Sequence, residues 1–195
     1  MMRFSALVLV LPLFLLAGCS STRDSHPERT ATEQLLLSHA ADKAARSLDF
    51  GVAPGTKVFV EAANFEGVDA KYAIAAIREQ ALRQDLALTD EKGQAEAIVE
   101  IRAGALSIDQ RDTLVGIPEF DVPIPLAGDL GIPEIALYKN DMSQGVAKFA
   151  AASYGAKDGK LIAVSTPAAT SAYEEETVLL FFINWSDDNL DRPED

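Results

Sequence analysis

Among side chains able to do covalent chemistry, the sequence offers one thiol, Cys19, and two imidazoles, His26 and His39. The histidines lack the four-residue helical spacing of a zinc protease site. No Gly-x-Ser-x-Gly turn presents a serine nucleophile. Ser38 beside His39 is not a dyad, because adjacent helix positions point apart. Glu174-Glu175-Glu176 is the densest acidic run, yet nothing around it follows a calcium-loop pattern. Carboxylates are so scattered that no pair for glycoside cleavage can be chosen. Gly155 and Gly159-Lys160 lack the spacing of a phosphate loop. No catalytic residue, metal ligand or cofactor site is therefore assigned, and an enzyme is not expected. That leaves the thiol. It has no second cysteine for an intrachain disulfide, and it closes the run Leu16-Ala17-Gly18-Cys19.

The residues before that run have a layout of their own. Arg3 supplies a positive start, Ala6 to Leu16 form an apolar stretch, and small residues follow. Basic start, short apolar core and small-residue cleavage site describe a secretory signal. A span needs roughly 20 apolar residues, and Pro12 disfavours one long helix. Leu16-Ala17-Gly18-Cys19 resembles the lipobox of bacterial lipoproteins. That resemblance implies cleavage between Gly18 and Cys19, a diacylglyceryl group on the Cys19 sulfur, and palmitate-type acyl chains holding the protein on a membrane. It also implies outer-membrane residence on the periplasmic face, because Ser20 and Ser21 stand where an aspartate favours inner-membrane retention.

Composition narrows the rest. The chain carries 30 acidic against 17 basic residues, a net charge of −13. Such a surface repels phosphate backbones, so nucleic-acid binding is not expected. The length after the signal suits one domain with a proper core. The expected organisation is a lipoprotein signal peptide at 1–18, a lipidated tether at 19–30, a single domain at 31–185 and an acidic tail at 186–195.

Within the domain, Leu36, Leu37, Ala40, Ala41, Ala44 and Leu48 recur on one helical face, as do Ala73, Ile74, Ile77 and Ala81 on a second. Lys57–Glu61 and Leu86–Leu88 read as short strands. From Ala97 to Asp109 apolar residues alternate, and their parity switches at Gly104, which predicts a β-bulge within one residue of it. Strands are also expected at 135–139 and 146–154, followed by a hairpin turn at Asp158-Gly159. Thr177 to Trp185 is apolar on both parities, as in a strand covered on both faces. The expected fold class is α+β: two N-terminal helices packed on a largely antiparallel sheet.

The stretch Thr32-Glu33-Gln34-Leu35-Leu36-Leu37-Ser38, then Ala40-Ala41-Asp42, Lys57-Val58-Phe59-Val60 and Gly116-Ile117-Pro118, resembles a family of uncharacterised bacterial lipoproteins. The likeness covers most of the mature chain, but its motifs are structural and imply no activity. A strand, a helix and a long strand after a lipidated cysteine are also similar in architecture to envelope-assembly lipoprotein domains, including the curli-secretion lipoprotein. Fold alone does not specify function.

One region stands out. Gly116-Ile117-Pro118-Glu119 returns as Gly131-Ile132-Pro133-Glu134, and Phe120 to Leu126 between them is apolar and proline-bearing. Such a segment either folds back over the domain's own core or offers a docking strip, with Ile117, Pro118, Phe120, Ile124, Ile132 and Pro133 as candidate partner contacts. Lipid or small-ligand contact is the remaining reading. The expected function is a membrane-anchored, non-catalytic protein-interaction module of the cell envelope, with an envelope protein as partner. A carrier or sensor of a hydrophobic small molecule is the first alternative, and a hydrolytic enzyme the second.

Overall fold

Alanine-rich helix and small-residue strand meet at the centre of this molecule, and that close approach organises everything else. The computed structural model describes residues 29–124, 128–167 and 169–190. Helix α1 (Ala31–Arg46) buries Leu36, Leu37, Ala40, Ala41, Ala44 and Ala45. They pack on strand β6 (Ile135–Gly155) where it carries Gly145, Ala147, Phe149 and Ala151. A Cβ at Gly145 would collide with the Leu36 carbonyl oxygen, so only glycine lets the helix backbone come this near. Thr170 Oγ1 donates to the Ala40 carbonyl at 2.8 Å, fixing the helix along the sheet.

Strand β1 (Lys57–Glu61) follows α1, then helix α2 (Ala70–Arg83) and the two-residue strand β2 (Ala87–Leu88). β1 pairs in parallel with β2 and with the long strand β3 (Ala97–Ile117). Parallel neighbours need a crossover, and α2 supplies it between β1 and β2. Ala73, Ile77 and Ala81 of α2 are buried. The chain leaving α1 is held by Gln84 at the end of α2: its Nε2 donates to Leu48 O at 2.7 Å, and its Oε1 accepts from Phe50 N at 3.1 Å.

After β3 the chain is antiparallel. A hairpin of β4 (Phe120–Ile124) and β5 (Gly128–Ile132) forms a separate two-stranded sheet, and β6 then returns along the whole of β3. β7 (Leu161–Val164) and β8 (Ala169–Leu179) both pair with β6, and β9 (Ile183–Asp188) closes the edge on β8. The main sheet runs β2-β1-β3-β6-β8-β9, with β7 beside β6.

The expectation of an α+β fold with two helices ahead of a largely antiparallel sheet is thus corrected. The chain is mostly β, a curled mixed sheet forming half a barrel, with about half of the described residues in strands. A strand separates the two helices, and one end of the sheet is parallel. Periodicity reports each element's exposed and buried faces, but not whether distant strands run parallel.

Local expectations fared variously. The register between β3 and β6 slips between Ala103 and Ala105, which leaves Gly104 as the bulge. Gly159, with φ of 66°, turns the chain into β7. The two strands expected at 135–139 and 146–154 are one strand, β6. The expected tail at 186–195 begins too early: β9 continues through Asp188, and Leu190 packs on the core. Residues 191–195 lie outside the described residues, as do the signal segment, Gly18, Cys19 and most of the tether.

Candidate contact surface at the apolar end of the sheet

β3, β6, β8 and β9 run well past the region covered by α1, and their far ends hold the unusual side chains. Residues paired across a sheet share a face. The register places Val115, Tyr138, Leu179 and Ile183 in one row across four strands. All four are exposed, Val115 at 54 %. The next row on that face is Thr113, Asn140, Thr177 and Trp185. Asn140 Nδ2 donates to Thr177 Oγ1 at 3.0 Å and to Glu175 Oε1 at 2.6 Å. Apolar contact therefore gives way to hydrogen bonding within one row, about 7 Å of strand.

The other face changes as quickly. Leu114, Lys139, Val178 and Asn184 form its outermost paired row; Asp112, Asp141, Glu176 and Ser186 form the next. Lys139 Nζ lies 3.2 Å from Glu134 and 3.3 Å from Asp141. Bonds to these two carboxylates, Glu134 first, hold its ammonium above the usual lysine pKa.

Two turns project from this end. The β8–β9 turn is Leu180-Phe181-Phe182, with Leu180 at φ 50° and Phe181 at φ 55°. Left-handed backbone at a tight hairpin normally selects Asn and Gly. Here it carries large apolar residues, and Phe181 and Phe182 are 62 % and 70 % exposed. The second projection is the β4–β5 hairpin. Its pairs Phe120–Ile132 and Val122–Leu130, with Ile124 beyond them, share one face, while Asp121, Pro123 and Asp129 share the other. Every one of these apolar residues except the partly covered Ile132 is exposed.

The residues singled out in the sequence are therefore spread over this hairpin and its joints. Ile117 ends β3 and pairs with Ile135. Pro118 and Pro133 lie in the two connections, so the repeated Gly-Ile-Pro-Glu word frames the hairpin on both sides. Phe120, Ile124 and Ile132 lie on its apolar face. The segment is not an irregular loop over the core, because alternation within β4 and β5 lets each pair with the other. Pro123 is tolerated since both strands of an isolated hairpin are edges.

Sequence reasoning missed the other half of the surface. Thr177 to Trp185 was expected to be one covered strand; it is a hairpin with its turn at 180–182, and its outer end is bare. No turn-forming residue marks that bend. Glu174 to Glu176 lie along β8, and no metal-holding cluster occurs among the described residues.

Elsewhere, a concavity of about 550 Å³ lies between α1 and the start of α2. Leu35, Leu37, Ala41, Leu106 and the Tyr72 ring line it. Tyr72 donates its hydroxyl to Asp42 at 3.2 Å. Partial burial, with the Asp42 charge, pushes its pKa above the usual tyrosine value. The phenol therefore stays protonated, with its one proton given to Asp42.

Compared with known proteins, the chain is matched over residues 14–178 by the model of a family of unknown function, DUF6655. No curated protein matches it.

Proposed function

The chain belongs to the DUF6655 family, a family of unknown function, and on that premise we propose that it is a lipid-anchored, non-catalytic contact module of the cell envelope. Cys19 carries the diacylglyceryl anchor after cleavage behind Gly18, and the domain faces the periplasm from the outer membrane. The lipobox supports the anchor. The observation that carries the contact role is the apolar end of the sheet. Soluble single chains rarely leave so many large apolar residues contiguous and bare, and such patches mark surfaces that meet something else.

Metabolic labelling tests the anchor. Labelled palmitate should enter the wild-type protein in its native host and be absent from Cys19→Ala, whose product should accumulate uncleaved. Label retained in Cys19→Ala, or missing from the wild type, would remove the anchor. In-envelope crosslinking from Phe120 and Phe182 then reads the contact role; products identical to those from an exposed polar site such as Lys71 would count against it.

A second reading is supported by the groove beside Tyr72: a carrier or sensor of a hydrophobic small molecule. Its volume and apolar lining suit a small hydrophobic ligand. Mass spectrometry of protein purified without detergent tests this. A co-purifying lipid-like compound lost in Leu35→Glu, an exposed position of the lining, supports it, and its absence removes it.

A further inference from the structure

We propose that the apolar end of the sheet dips into the interfacial layer of the bilayer, so that the domain stands on the membrane at two points, its lipid and its strand ends. The choice of membrane rests on the lipid anchor proposed above; the geometry does not.

Depth is the first argument. From Ile117 back to Leu114 the end of β3 is apolar over about four residues, roughly 13 Å of strand. On the face of Val115 and Tyr138, Asn140 and Thr177 then begin; on the other face Lys139, beside Leu114 and paired with Glu134 and Asp141, already marks the polar boundary. A spanning strand needs about 9–11 residues of lipid-facing alternation. Interfacial insertion reaches only about 5–10 Å. This end is therefore long enough to dip and too short to cross.

Layering is the second. Phe181 and Phe182 occupy the turn beyond the last paired row of β8 and β9, whereas Tyr138 and Trp185 sit where the apolar rows meet the polar ones. Purely apolar rings beyond the rows, and amphipathic rings at the boundary, match the gradient from acyl chain to headgroup. The turn carries its large side chains on left-handed backbone, where a tight hairpin ordinarily has Asn and Gly.

The tether gives the third. Helix α1 begins near the same end: Gln110 Nε2 donates to Glu33 at 3.0 Å, and Gln110 precedes Ile117 by about 23 Å of strand. Residues 20–30 can extend to nearly 40 Å, at about 3.5 Å each. A lipid on Cys19 and the apolar end can accordingly reach one surface. Charge then selects among lipids. Asp112, Asp141 and Glu176 stand side by side just behind the apolar rows, so a zwitterionic surface is favoured over an anionic one.

Trp185 is the only tryptophan, which makes the test direct. The full-length protein, purified from its native host and checked for acyl mass, is reconstituted into phosphatidylcholine vesicles carrying bromine near the headgroup or deep in the chains. Trp185 emission should shift to shorter wavelength and be quenched more by the shallow bromine than by the deep one. Phe181→Ser/Phe182→Ser, which alters only an exposed turn, should lose most of the quenching with unchanged circular dichroism. Unquenched wild-type emission on protein bearing its acyl chains would overturn the insertion and leave the anchor standing. Quenching of protein without acyl mass would sustain the insertion and remove the anchor. Equal quenching of wild type and variant, or a crosslink from Phe182→Cys to a second copy without quenching, would overturn the proposal.

Discussion

The rings of Phe181 and Phe182 meet edge to face with centroids 5.8 Å apart, in the turn between β8 and β9. Neighbouring side chains in a strand point to opposite faces, so this meeting depends on the left-handed backbone at Leu180 and Phe181. The turn spends backbone energy, of order 1–2 kcal/mol per residue, to hold the two rings outward.

Replacing that turn should separate stability from function. Leu180→Asn/Phe181→Gly introduces the residues that such a hairpin prefers. Unfolding in urea should become harder by about 1 kcal/mol, allowing for the entropy that glycine adds to the unfolded chain. Vesicle quenching of Trp185 should weaken in the same protein. A destabilised variant would mean that the rings contribute to folding.

The opposite outcome is expected at Gly145→Ala. The added methyl meets the Leu36 carbonyl oxygen and pushes α1 off β6. Overpacking of this kind costs about 1–3 kcal/mol. The urea midpoint should fall with the slope unchanged.

Ser153 tests the core differently. Its side chain is buried, and its Oγ has no hydrogen-bond partner among the described residues. Ser153→Ala should be neutral or stabilising by up to about 1 kcal/mol, since an unsatisfied hydroxyl is removed. Thermal denaturation reads the result, and a marked loss would reveal a partner for the hydroxyl.

One ion pair sets a pH dependence. Lys92 Nζ lies 2.8 Å from Glu61, and its hydrogen bond, opposed in part by desolvation, holds the Glu61 carboxyl below the usual range. A lowered acid contributes stability above its unfolded pKa, about 4.3, and loses it as pH falls through the folded value. Glu61→Gln should therefore flatten a small part of the acid limb of melting temperature below about pH 4.3. The effect stays small because solvent screens the pair. An unchanged acid limb would show that the pair contributes nothing.

These positions also mark how far the sequence could be read. The Gly104 bulge was legible because the apolar parity switches there, and the Asp158-Gly159 turn because its residues fit a tight bend. α1 and α2 were legible from their buried stripes. The parallel pairing of Phe59 with Ile98 left no comparable mark, and so the fold class was misjudged. Thr177 to Trp185 misled for a different reason. Apolar residues on both parities usually mean cover on both faces, but here every residue from Leu179 to Trp185 is exposed. Ile117, Phe120, Ile124 and Ile132 were noticed because prolines bracket them; Phe181 and Phe182 had no such bracket.

Intact mass of the protein extracted from its native envelope bears most directly on the central claim, that a greasy attachment at Cys19 places this domain on a membrane. The expected result is a chain that begins at Cys19 and carries diacylglyceryl and further fatty-acyl mass. A mature chain beginning at any other residue, or one without acyl mass, would contradict it.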